Sequence, residues 1–351
     1  MEGSHSTKAA TFLNFSNRET SSFFYFGFRL IHHMRNGGRL QSLMLPFLPQ
    51  SPQAQSIANL FGTITIIAIL ILLLVTGLVI FVMIRFRSRG SLEPQSETHD
   101  RAQLEITWTA LPILLLTVVF GLTVSTMQKS DPPATAAQTP DVIIIAHQWW
   151  WEVHYPKAGV VTANEIHMAV GQRYLFKFES ADVIHDFWVP QLGRKIDMIP
   201  GHPNQMFMQA DQVGTYSGTC AEYCGAEHAW MRIRVLVQSS EDFNAWLTAQ
   251  AQVPSPPTTG DAAQGAQLFQ QLTCASCHAI AGTPAQANIG PDLTHIASRQ
   301  TIGAGVLDNN PHNLTAWISN PQAIKPGILM PNLALSSQQV QELVAYLETL
   351  K

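Results

Sequence analysis

Residues 220–231 read CAEYCGAEHAWM, and the reading of this loop decides what the middle of the chain is. It gathers two thiols (Cys220, Cys224), an imidazole (His228) and a thioether (Met231), all soft metal ligands. One Cys with His and a weak axial Met on a β-sandwich loop is the donor set of a blue-copper site. A second Cys changes the stoichiometry, because two thiolates can each bridge two copper ions that share one electron hole. Zinc would take a Cys/His tetrahedron and has no use for the thioether, and a plain buried Cys pair would need neither His nor Met.

Outward from this loop the chain runs in short β-rich stretches: DVIIIAHQWWWEVHY (141–155), EIHMAV (165–170), RYLFKFES (173–180), QMFMQA (205–210) and MRIRVLVQ (231–238). Such runs, bounded by turn residues, predict an antiparallel β-sandwich or barrel. The helical stretch SSEDFNAWLTAQA (239–251) closes it, giving a cupredoxin-like domain over 140–251.

Toward the N-terminus, Ile57 to Ile84 and Ile106 to Gln128 contain no charged residue. Each is long enough to cross about 30 Å of hydrocarbon at about 1.5 Å per residue, and Pro112 in the second is tolerated in a membrane helix. A transmembrane hairpin is therefore expected over 56–130. Arg85, Arg87 and Arg89 directly follow the first run, which predicts a cytoplasmic loop and places everything after Lys129 on the periplasmic or extracellular side. Residues 1–55, with scattered Arg and short apolar pieces, read as a leader or a disordered N-terminus.

Toward the C-terminus, QVPSPPTTG (252–260) is a Pro/Ser/Thr linker. The segment 261–351 opens with the helix DAAQGAQLFQQL and runs into CASCH. CxxCH is the signature of covalent haem c attachment, with Cys274 and Cys277 as thioethers and His278 on the iron. Met330, in KPGILMPNL, is the expected sixth ligand, and a Met/His pair suits electron transfer; His295 and His312 compete weakly. Ser336 and Gln339 predict a capping box ahead of a last amphipathic helix. The four cysteines are thus divided between two cofactor sites, leaving none for a disulfide.

The copper-ligand loop resembles the dinuclear copper A loop of subunit II of haem-copper cytochrome c oxidases. DVIHDFWVPQLGRKIDMIPGHPNQ (182–205), HQWWWEV (147–153) and LEITWTALP (104–112) are similar to further segments of that family, and IGPDL (289–293) with the methionine loop resembles class I cytochromes c. The match covers about residues 55–351 and is that of caa3-type subunits II carrying a fused C-terminal cytochrome c domain.

The resemblance implies a copper A site of bridging Cys220 and Cys224, terminal His185 and His228, weak Met231 and the Glu222 carbonyl. It also implies a magnesium held by the Glu222 carboxylate at the border with subunit I. Trp149 would be the electron entry point and Glu105 the mouth of a proton path into subunit I. Partners would be subunit I with its haem a and haem-copper centre, further oxidase subunits, a cytochrome c or other donor complex, and the lipid of a bacterial cell membrane. Rival readings are the copper A subunit of a nitric oxide reductase, and a membrane-anchored electron carrier without its own enzyme.

Composition agrees with a membrane protein: of 351 residues, 46% are hydrophobic and 13% charged. A net charge of −4 lacks the basic stripe of a nucleic-acid binder. Residues 141–250 carry −5 and residues 251–351 carry −2, so the haem domain is expected to dock on the copper domain mostly through apolar contacts.

Overall fold

The computed structural model describes residues 48–87, 101–130 and 138–351. The leader up to 47, Arg89 and the Pro/Ala/Thr connector at 131–137 lie outside the described residues.

Two long helices, α1 (Pro52–Arg85) and α2 (Ala102–Ser130), carry the apolar runs and expose them along their length. Both are long and apolar enough to span a membrane. α1 takes in Pro52–Gln55, which the sequence division grouped with the leader. The start is set by Ser51, whose hydroxyl accepts from the Ala54 N–H, and by Pro52 in the first turn. That first turn rests on the sandwich: Ser51 Oγ donates to the Leu192 carbonyl (2.8 Å), and Gln50 exchanges backbone hydrogen bonds with Gln191 and Asp211.

The sandwich consists of ten strands: β1 (Val142–His147), β2 (Trp150–Tyr155), β3 (Val160–Ala163), β4 (Glu165–Ala169), β5 (Tyr174–Ser180), β6 (His185–Trp188), β7 (Ile196–Met198), β8 (Asn204–Met208), β9 (Gly214–Cys220) and β10 (Arg232–Gln238). They form two sheets, β3-β2-β1-β5-β8 and β4-β10-β9-β6-β7. Period-two patterning is plain in β1, where Val142, Ile144 and Ala146 are buried and the residues between them are not. Ile144, Phe176 and Phe178 of one sheet meet Phe187, Tyr216 and Ile233 of the other in a single core. The expectation of an antiparallel sandwich is corrected at two places: β1 pairs with β5 in parallel, and β4 with β10 in parallel. Strand direction follows the crossovers between sheets, which alternation cannot reveal. Helix α3 (Ser240–Gln250), capped by Ser239, covers one end, with Trp246 stacked on His167 at 3.8 Å.

The C-terminal unit packs α4 (Gly260–Gln271) across α7 (Ser337–Leu347), with Phe269 edge-on to Tyr346. At the crossing a Cβ on Gly265 would lie 1.9 Å from the Glu342 carbonyl oxygen, so only glycine lets the two backbones meet. The Ser336/Gln339 capping box is present. Between these helices lie a short hairpin, β11 (Thr301–Ile302) and β12 (Leu307–Asp308), then α5 (Pro311–Ser319) and the one-turn α6 (Pro321–Ile324).

The contact between this unit and the sandwich includes the carboxylate of Glu165, which accepts hydrogen bonds from the Gln300 and Thr301 N–H groups and the Thr301 hydroxyl. The small cluster of Trp150, Ala163 and Ala304 lies beside it. Net charge per domain says nothing about one buried carboxylate facing backbone donors.

Candidate metal centre and haem cleft

Register sets the first site. On adjacent strands Phe187 faces Cys220, and the Ala221 N–H donates to the Asp186 carbonyl, so His185 at the start of β6 stands beside the end of β9. The chain then loops through residues 221–227 and makes one 3₁₀ turn, His228–Trp230. With about three residues per turn, that brings His228 and Met231 back to the same side.

The structure therefore gathers the predicted donors. Cys220 Sγ lies 3.7 Å from Cys224 Sγ and 3.8 Å from His185 Nδ1. Cys224 Sγ lies 3.6 Å from His228 Nδ1 and 3.8 Å from Met231 Sδ. Cys220 Sγ is 3.2 Å from the Glu222 carbonyl, while the Glu222 side chain is exposed. His185, Cys220, Cys224 and Met231 are all buried. Unlike a hydrophobic core, this pocket has two sulfurs facing two imidazoles. It fits soft metal ions held by sulfur on one side and nitrogen on the other.

The two thiols share one hydrogen bond that acts on them in opposite directions: it lowers the pKa of Cys220, with help from His185 and neighbouring backbone groups and against burial, and together with burial it raises that of Cys224. Burial acts against protonation of His185, but its bonds to Cys220 and Asp182 outweigh it and raise its pKa.

Sequence reasoning missed the supporting shell. Asp182 Oδ1 accepts from His185 Nε2 at 2.8 Å, fixing the ring with Nδ1 toward the sulfurs. Gln148 Nε2 and Trp149 Nε1 both donate to the Cys224 carbonyl, at 2.7 and 3.0 Å. The available signal for Asp182 was its position three residues before His185; nothing in the sequence points to Gln148. Of the three tryptophans, Trp151 is the core residue, edge-on to Phe187, and Trp150 stacks on His147.

The second site is a cleft lined by Cys274, Cys277, His278 and Met330 among apolar side chains. His278 Nδ1 donates to the Pro291 carbonyl at 2.7 Å, which leaves Nε2 as the ring's available ligand atom. A Cβ on Gly290 would come within 2.5 Å of that ring, so the glycine is a cradle for the imidazole. These features fit a covalently held macrocycle. His295 is instead bound to the Lys351 carbonyl and His312 is exposed; neither is among the residues lining the cleft. Gln148, Trp149 and Trp150 line it from the sandwich side.

Glu105 lies exposed in the first turn of α2, and the structure brings it to no other predicted site residue.

Comparison with known proteins gives three family matches: the cytochrome c oxidase subunit II transmembrane domain over residues 45–124, the periplasmic domain of the same subunit over 160–239, and cytochrome c over 262–351. Cytochrome c oxidase subunit 2 of Alkalihalophilus pseudofirmus is 35% identical, covering 86% of this chain and 90% of that one. The Bacillus subtilis subunit 2 is 32% identical, covering 87% and 92%. A crystal structure of the periplasmic domain of subunit II from Bradyrhizobium japonicum is 29% identical over 32% of this chain and 95% of that one, with a TM-score of 0.31. On the identity and coverage of the first two relatives, the chain belongs to the cytochrome c oxidase subunit II family, with a cytochrome c domain at its C-terminal side.

Proposed function

We propose that this chain is the electron-entry subunit of a bacterial caa3-type oxidase, with each cofactor held by residues named above. When bound, haem c and the dinuclear copper A centre supply one-electron carriers between a cytochrome c or other donor and haem a of subunit I, where oxygen is reduced to water with proton translocation. Cys220 and Cys224 would hold the copper ions through their thiolates, His185 and His228 through their imidazoles, with Met231 supplying a weak thioether and Glu222 its carbonyl. Asp182 keeps His185 turned toward the sulfurs. In the cleft Cys274 and Cys277 would anchor the macrocycle, and His278, with its proton held on Nδ1 by the Pro291 carbonyl, and Met330 would be the iron's protein ligands.

The exposed Glu222 carboxylate is suited to a magnesium at the subunit I border. Glu105 is suited to proton entry at the cytoplasmic end of α2, and Trp149 to electron entry. Arg85 and Arg87 at the end of α1 favour a cytoplasmic loop between the helices, with both cofactor domains on the far side of the cell membrane.

The observation that carries this reading is the convergence of two imidazoles and a thioether on two cysteine sulfurs 3.7 Å apart. Metal analysis of the purified complex should give two coppers in this subunit with a mixed-valence EPR signal. Cys220→Ser should abolish that signal while the haem c spectrum persists; one copper, or zinc, overturns the assignment.

A further inference from the structure

We propose that Glu165 is the positioning residue that locks the haem domain onto the copper domain, so that electrons cross a fixed geometry and not a swinging tether. The inference rests on the reading above for what the two domains carry, but not for how they meet.

The linker 252–260 alone would leave the haem domain free to move, as a Pro-rich spacer reaches about 3.1 Å per residue. The seam removes that freedom. Glu165 sits at the start of β4 with 1% of its surface exposed. Its carboxylate accepts from the Gln300 N–H at 3.0 Å, the Thr301 N–H at 2.8 Å and the Thr301 hydroxyl at 2.9 Å. All three donors come from the haem domain. The buried carboxylate and the amide of buried Thr301 satisfy one another there, with the Gln300 amide at the more exposed edge, and leaving the buried groups without a partner in the docked state costs more than the bonds gain.

From Thr301 the β11–β12 hairpin continues along the copper domain. The Arg232 N–H donates to the Ala304 carbonyl at 3.2 Å, and Lys325 Nζ reaches both the Trp230 and Gly303 carbonyls at 3.3 Å. Arg232 and Trp230 flank Met231, so the hairpin is registered against the copper loop itself. On the same side Gln148 and Trp149 line the haem cleft while donating to the carbonyl of Cys224. Those two hydrogen bonds lie within the copper domain; what seating adds is the placement of the same two side chains against the cleft.

The test uses the assembled oxidase with Glu165→Ala, Glu165→Gln and Thr301→Val. Hydrogen exchange at the Arg232 amide reports seating at a point that Glu165 does not touch. Glu165→Ala should raise that exchange by about tenfold or more, the size expected for stranding buried donors. It should also add a slow phase to flash-initiated electron transfer from haem c to copper A. Glu165→Gln, whose amide oxygen still accepts, should fall between; Thr301→Val, which deletes one hydrogen bond and leaves the sandwich untouched, should move both readouts in the same direction. Copper A EPR and the haem c spectrum should stay native in all three. Wild-type exchange at Arg232 with a single fast phase in both Glu165→Ala and Thr301→Val would overturn the proposal. If Glu165→Ala does not assemble, the Thr301→Val result alone decides. The exchange readout needs neither cofactor, so a native complex lacking two coppers or covalent haem would sink the functional reading and leave the seam standing.

Discussion

The copper and haem sites are built in opposite ways. At the copper site, His185 opens β6, Cys220 ends β9 and Met231 immediately precedes β10, so three donors are fixed by ladder hydrogen bonds. The surrounding side chains fill the sandwich core without interruption. At the haem site the donors come from a 3₁₀ turn and a loop, and the middle of the unit is a cleft walled by side chains such as Leu293, Leu335 and Leu343. The first is a pocket set by strand register. The second is a cleft between helices and loops, and a group bound in it adds its binding free energy to the stability of that unit.

The strongest way to break this contrast is to stop haem attachment. Cys274→Ser with Cys277→Ser should cost the C-terminal unit its cooperative unfolding transition, because its leucines then line water, while the sandwich melts as before and keeps copper. Calorimetry with two separable transitions checks this, and an unchanged second transition would show that the helices alone suffice.

Gly290→Ala sharpens the contrast at a single atom. The added methyl would have to displace the His278 ring, at about 1–3 kcal/mol for overpacking, and should lower the second transition only. A shift in the sandwich transition would show that the two interiors are not independent.

The smallest effect concerns acid. Burial holds His167 at about 4, below its ordinary 6.5, with its ring stacked on Trp246 and Nδ1 bonded to Gln238. The unfolded chain takes up a proton at this residue below pH 6.5 and the folded one does not until near 4. The sandwich should therefore lose about 1–2 kcal/mol between pH 6.5 and 5 from this residue. His167→Phe should flatten that part of the pH dependence of the first transition and leave the second unmoved; an identical slope in the variant refutes it.

What the sequence disclosed follows the same division. Ligands crowded into CAEYCGAEHAWM or CASCH are legible because the chemistry needs them close together in the chain. The strands that deliver them are less so. β9, GTYSGTC, has small polar residues where alternation should show, and β6 is only four residues long. α5 was overlooked although Asn310 and Pro311 cap and open it and Leu314 and Ile318 are buried one turn apart. Its polar neighbours hid the period. Glu165 could not be read at all, since its donors, two backbone N–H groups and the Thr301 hydroxyl, lie more than a hundred residues away, and no local pattern announces them.

The anchoring of α1 has a mechanical consequence. At about 1.5 Å per residue its 34 residues measure about 51 Å, against about 30 Å of hydrocarbon, so it is long enough to span with tilt. The upper end is pinned to the sandwich through Ser51 and Leu192 and through Gln50 with Gln191 and Asp211. A helix so attached acts as a lever. When it tilts to match a thicker or thinner membrane, the tilt is carried through Ser51 and Gln50 into the sandwich at residues 191, 192 and 211.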